Sequence, residues 1–160
     1  MKAKLFLVIA VAAILIFAAF RVGLIIEKMS APAPAPTPAS TTSHGGPVRD
    51  YISLVDKLSA ADANVQPAGE ISQPFFSVKG LVIAIGGSDV QVFEYADEDA
   101  VDAEAALVSP DGGSIGTTMV SWMASPHFYK VERLIVLYVG ENEATIDILE
   151  SILGPQFAGR

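Results

Sequence analysis

The sequence predicts an α+β domain carried on an N-terminal transmembrane helix, with a proline-rich linker between the two. Three observations predict it. An apolar run of 22 residues opens the chain, an alternating Ala-Pro tract follows, and a strand-strand-helix pattern then occurs twice. The boundaries that follow are a signal-anchor over 1–29, a linker over 30–46 and a folded domain over 47–160. Because the helices follow antiparallel hairpins, the expected domain has two layers, a mainly antiparallel sheet with helices on one side.

Residues 5–20 are uninterrupted apolar sequence, and 22–26 continue it past Arg21. At ~1.5 Å per residue such a helix exceeds the ~30 Å hydrocarbon core of a bilayer. Arg21 lies near the end of the run, where a long side chain reaches the headgroups. An uncleaved anchor is preferred to a cleaved signal peptide. Phe17 is a poor neighbour for cleavage after Ala18-Ala19, and Ala33 and Ala35 are each followed by proline. Lys2 and Lys4 make a short basic leader, so the N-terminus is expected inside the cytoplasmic membrane and residues 47–160 outside it.

The linker alternates alanine and proline from Ala31 to Pro36, continues with Thr37-Pro38 and ends in Ser, Thr and Gly. Alternating proline favours polyproline II at ~3.1 Å per residue, so its stiff half spans roughly 25 Å. His44 belongs to this tract and is read as solvated.

Formal charge is −8. It is unevenly spread: residues 31–160 hold six basic and seventeen acidic residues, a net of −11. An acidic body repels phosphate backbones, which excludes nucleic acid as a partner. Cysteine is absent. Disulfides, thiolate catalysis and cysteine metal sites are thereby removed, and so is a lipid-modified cysteine.

Within the domain, Pro47 suits a first helical position. Val48, Tyr51, Ile52, Val55 and Leu58 then recur at helical spacing as one apolar face. Residues 65–71 hold Pro67 and Gly69 and read as an edge strand or an irregular extended segment. A strand is expected over 75–85 after Pro74, a turn over Gly86-Gly87-Ser88-Asp89, and a return strand over 90–95. Asp97, Glu98 and Asp99 open an alanine-rich helix, where negative charge suits the macrodipole. Residues 117–123 are expected as a further sheet strand. The apolar run 134–139 reads as an interior strand buried on both faces. Gly140-Glu141-Asn142 caps a last helix with Ile146, Leu149 and Leu153 toward the core, and Gly154-Pro155 stops it.

Five segments carry a resemblance: Pro74-Phe75-Phe76-Ser77-Val78-Lys79-Gly80, Val90-Gln91-Val92-Phe93-Glu94-Tyr95-Ala96-Asp97, Pro126-His127-Phe128-Tyr129, residues 134–140, and Leu153-Gly154-Pro155-Gln156-Phe157-Ala158-Gly159. Together they resemble a group of small, membrane-anchored or exported bacterial envelope proteins of no established function. The resemblance spans most of 50–159, although its members tend to place Asn-Gly where this chain has Gly86-Gly87. It implies a bacterial origin and an exported domain. It implies no activity and transfers no site residue.

Chemical motifs are sparse. Gly112-Gly113-Ser114-Ile115-Gly116 fits the Gly-x-Ser-x-Gly spacing, but a nucleophile elbow needs a strand before the serine and a helix after it. Here a loop precedes and a strand follows. His127 is the domain's single histidine and the candidate general base, with Tyr129 or Ser114 as candidate helpers in a small hydrolase. Two histidines, one of them in the linker, do not make a metal site, and no cofactor is expected. Asp97, Glu98, Asp99 and Asp102 lack the glycine and closing glutamate of a calcium loop. Phe75, Trp122, His127 and Tyr129 form the candidate binding surface, on the argument that extended aromatic pairs alternate and leave one ring of each outside. The expected function is a membrane-tethered, non-enzymatic interaction module with a protein partner in the envelope. The alternative is a small envelope hydrolase using His127.

Overall fold

A computed structural model describes residues 46–159. The anchor over 1–29 and all but the last residue of the linker lie outside the described residues. Among the described residues no helix is long and apolar enough to cross a membrane.

The elements in order are α1 (Tyr51–Ala60), β1 (Val65–Ile71), β2 (Gly80–Ile85), β3 (Ser88–Glu94), α2 (Glu98–Ala105), β4 (Ser114–Ile115), β5 (Thr118–Met119), β6 (Pro126–Val131), β7 (Leu134–Val139), α3 (Glu143–Leu153) and β8 (Ala158–Gly159). Six strands form one sheet in the order β1-β2-β3-β7-β6-β8. Every neighbouring pair in it is antiparallel. The fold is α+β.

The β2–β3 hairpin turns on two residues, since Ile85 pairs with Ser88. Gly86 and Gly87 have φ of 58° and 87°. Both central residues of such a turn need positive φ, which glycine adopts without a Cβ clash. At the edge, β1 is blunted by Pro67 and by a register shift between Pro67 and Gly69. A missing N–H and a bulge both discourage pairing with a further strand.

Side-chain alternation in β7 organises the core. Leu134, Val136 and Tyr138 join a cluster with Leu54 and Leu58 of α1 and Leu149 and Leu153 of α3. Ile135 and Leu137 join a second cluster with Phe93, Val101 of α2, Phe128 and Phe76. The run 134–139 is therefore buried on both faces, as its unbroken hydrophobicity requires. Both faces of the sheet are covered, α1 and α3 on one and α2 with the β4–β5 ribbon on the other. The two-layer expectation, with helices on a single side, is corrected accordingly.

Four local expectations also change. The strand begins at Gly80, because residues 74–79 form a turn that brings both Phe75 and Phe76 onto the second cluster. In α1 the inward residues are Leu54 and Leu58, while Ile52 is exposed. The helix is capped by Asp50, not entered at Pro47: its Oδ1 accepts from Ser53 N at 2.9 Å, and Ser53 Oγ accepts in return from Asp50 N at 3.0 Å. Finally, residues 117–123 do not join the main sheet. Gly116, at φ 58°, turns Thr118–Met119 back onto Ser114–Ile115 as a separate two-residue ribbon. The last helix does begin at Asn142, whose Oδ1 accepts from Ala144 N at 3.1 Å.

Candidate interaction surface

The four residues of the candidate surface are divided by the sheet. Tyr129, two residues from His127 on β6, belongs to the cluster under α1 and α3, while the intervening Phe128 belongs to the opposite one. Phe75 and Trp122 lie on the Phe128 side, with ring centroids 5.9 Å from Phe75 to Trp122 and 5.9 Å from Trp122 to Phe128. Phe157 extends the series, 6.1 Å from Phe128. The structure thus brings Phe75 and Trp122 together and separates them from His127 and Tyr129.

Alternation does not leave one ring of each pair outside. Phe128 and Tyr129 are both completely buried, because both faces of the sheet are covered. Phe76 is buried and Phe75 half-buried. Tyr129 therefore sits in the core and contributes to no surface. Its hydroxyl, like that of Tyr95, is buried without a hydrogen-bond partner among the described residues. Burial raises the pKa of both phenols, with a further push from Glu104 at Tyr95 and from Glu150 and Asp147 at Tyr129.

His127 is 5% exposed. Its Nε2 lies 3.0 Å from the Gly140 carbonyl and its Nδ1 3.0 Å from Gln156 Oε1. A carbonyl only accepts, so Nε2 donates to Gly140. Nδ1 of the neutral ring then accepts, and the Gln156 amide meets it with its NH2 once that amide is turned over. The ring stacks on Tyr138 at 5.8 Å and 21°. This network joins β6, the end of β7 and the segment leading into β8. Beside it is a small cavity of about 210 Å³, lined by Ser125, Glu141, Glu143 and Ile146 as well as His127. There Ser125 Oγ donates to Glu141 Oε1 at 3.0 Å, so the serine engages the carboxylate and not the imidazole.

Ser114 opens β4, its N–H donating to Ser109 Oγ at 2.9 Å. A turn precedes it and the Gly116 turn follows, so the elbow geometry is absent. Asp97 caps α2, its carboxylate accepting from Ala100 N at 2.9 Å. Around that helix start is an open cavity of about 460 Å³ lined by Arg49, Asp97, Glu98, Asp99, Glu132 and Arg133. Glu98 is held above the usual carboxylate range by a hydrogen bond to Glu132 and then by the charge of that residue. Among the described residues no group of three or more acidic or histidine side chains is arranged to hold a metal ion.

Two exposed residues were not among the sequence candidates. Met119 is 89% and Met123 101% exposed, flanking half-buried Trp122. Trp122 Nε1 donates to the Gly112 carbonyl at 2.7 Å and ties this loop to the body. The signal was present in the sequence: residues 112–125 contain no charged side chain, within a body of net charge −11.

No known protein family, no curated protein and no solved structure matches the chain.

Proposed function

We propose that the chain is a membrane-tethered, non-enzymatic interaction module of the bacterial envelope, acting as an accessory subunit beside a protein partner. In this reading it is a single-pass protein of the cytoplasmic membrane, with its N-terminus inside and residues 47–160 outside. The tether is supported by the 22-residue apolar run and the Ala-Pro tract after it.

The observation that carries the non-enzymatic part concerns His127. Both of its ring nitrogens are engaged, by Gly140 and Gln156, and the ring is buried against Tyr138. A general base needs a nitrogen facing the proton it removes. The hydrogen bonds of His127 instead hold the C-terminal segment to the sheet. The hydrolase reading has less support, since the Tyr129 hydroxyl is enclosed in the core and Ser114 belongs to the ribbon.

Affinity purification of the tagged full-length chain from solubilised membranes tests the proposal. Recovery of a stoichiometric protein partner is expected. Repeated isolation of the chain alone would overturn the accessory-subunit reading.

A further inference from the structure

We propose that the loop carrying the β4–β5 ribbon is a lipid-contacting element, which lays Met119 and Met123 into the interfacial layer of the bilayer. This rests on the tethered reading above and adds a second, weaker contact to it.

Three features point the same way. Residues 112–125 are fourteen consecutive positions without a charge, so nothing in the loop must be dehydrated as an ion when it meets lipid. Its two methionines stand almost wholly in solvent, where apolar side chains gain nothing unless something covers them. Between them Trp122 packs inward on Phe75 and Phe128 and donates its Nε1–H to the Gly112 carbonyl, which holds the loop to the body while the two methionines stay outside. The backbone is prepared as well: Val120 N–H donates to the Gly113 carbonyl at 3.0 Å and Gly116 N–H to the Leu107 carbonyl at 2.8 Å. Internally paired amides make contact with an apolar phase cheaper.

The other occupants fit less well. The large apolar side chains that this loop exposes are two methionines beside a half-buried tryptophan. A stable protein interface needs about 800 Å² from each partner. A second copy would also bring another body of net charge −11 against the first. A bilayer needs no such area, because the tether makes the second contact intramolecular and a weak one suffices. The folded domain starts on the α1 and α3 side, with Val48 in that cluster, and the ribbon is on the other side of the sheet. Seventeen linker residues, 30–46, come before Pro47 in the sequence.

Trp122 is the single tryptophan of the chain, so its emission reports on this loop alone. The full-length chain is reconstituted in phosphatidylcholine vesicles with plain or brominated acyl chains, and vesicle association is read by flotation. The expected result is flotation, quenching of Trp122 by the brominated lipid, and loss of that quenching in the double variant Met119→Ser/Met123→Ser. The variant should still float and keep the parent's thermal midpoint, since both side chains are exposed. A parent that floats with Trp122 no more quenched than in the variant overturns the ribbon contact and leaves the tether standing. A chain that fails to float overturns both. Crosslinking between copies through the ribbon, with no quenching, reassigns the patch to self-association.

Discussion

The ring of Phe93 lies across Gly80, its register partner on the neighbouring strand. A Cβ at position 80 would come within 2.7 Å of Phe93 Cε1. Phe93 has no room to retreat: it is fully buried and packs on Phe76 at 4.6 Å between centroids. Replacing a strand glycine by alanine ordinarily helps, by reducing the freedom of the unfolded chain. Here overpacking should win, and Gly80→Ala is expected to cost ~1–3 kcal/mol. Urea denaturation of a chain beginning at Pro47 checks the sign. A gain in stability would mean that Phe93 moves aside without cost.

Ile135 and Leu149 are both fully buried, but on opposite sides of the sheet. Truncation of either to alanine should cost ~2–5 kcal/mol through lost burial and a residual cavity. Since the two belong to separate clusters, the double variant should equal the sum of the singles within ~0.5 kcal/mol. Chemical denaturation of the three variants measures this. A large coupling would show that the two layers respond as one.

Alkaline pH should loosen the core in a defined window. Tyr129 is pushed up to about 12 in the folded state, first by burial and then by Glu150 and Asp147. The unfolded phenol ionises near ~10. The folded state therefore holds this proton more tightly, and the resulting stability is complete below pH ~10 and is lost as pH rises through about 12. Tyr129→Phe removes a hydroxyl that has no partner, so stability at neutral pH should stay level or rise by ~1 kcal/mol. The same variant should lose less stability between pH 7 and pH 11. Tyr95, also raised by burial, would keep part of the alkaline loss. A parent equally stable at both pH values contradicts the burial of these phenols.

His127 and Gln156 should behave as a coupled pair. His127→Ala leaves the Gly140 carbonyl without its donor, an expected cost of ~1–3 kcal/mol. In a double-mutant cycle with Gln156→Ala, an interaction energy of ~0.5–3 kcal/mol is expected. Additive losses would mean that the contact between them contributes nothing.

Alkaline phosphatase joined after Gly159 should be active, because the short basic leader favours keeping the N-terminus in the cytoplasm. An inactive phosphatase fusion, together with a fluorescent cytoplasmic reporter at the same point, reverses the orientation.

What the sequence determined by itself was mostly local. A hairpin turn within 86–89 was legible because glycine takes positive φ, and the structure narrows it to Gly86-Gly87, with Ser88 and Asp89 already in the return strand. The acidic run 97–99 and the segment 140–142 mark the two later helix starts, and within them the structure picks Asp97 and Asn142 as the side chains that accept from the next N–H groups. The run 134–139 has no polar position to face water, so its burial on both sides followed from composition alone. Tertiary structure decided which face each layer covers, and through it the fate of the aromatic residues. Phe128 and Tyr129 alternate as extended residues must, yet both are buried because helices on one side and the ribbon on the other close over the sheet. Spacing could not show that Gln156 would return to His127, 29 positions away, since that contact depends on β8 pairing with β6. Nor could it show that residues 117–123 leave the sheet, which depends on where Gly116 reverses the chain and leaves Met119 and Met123 in solvent. Local propensity acts over a few residues, whereas burial is settled by what packs from elsewhere in the chain.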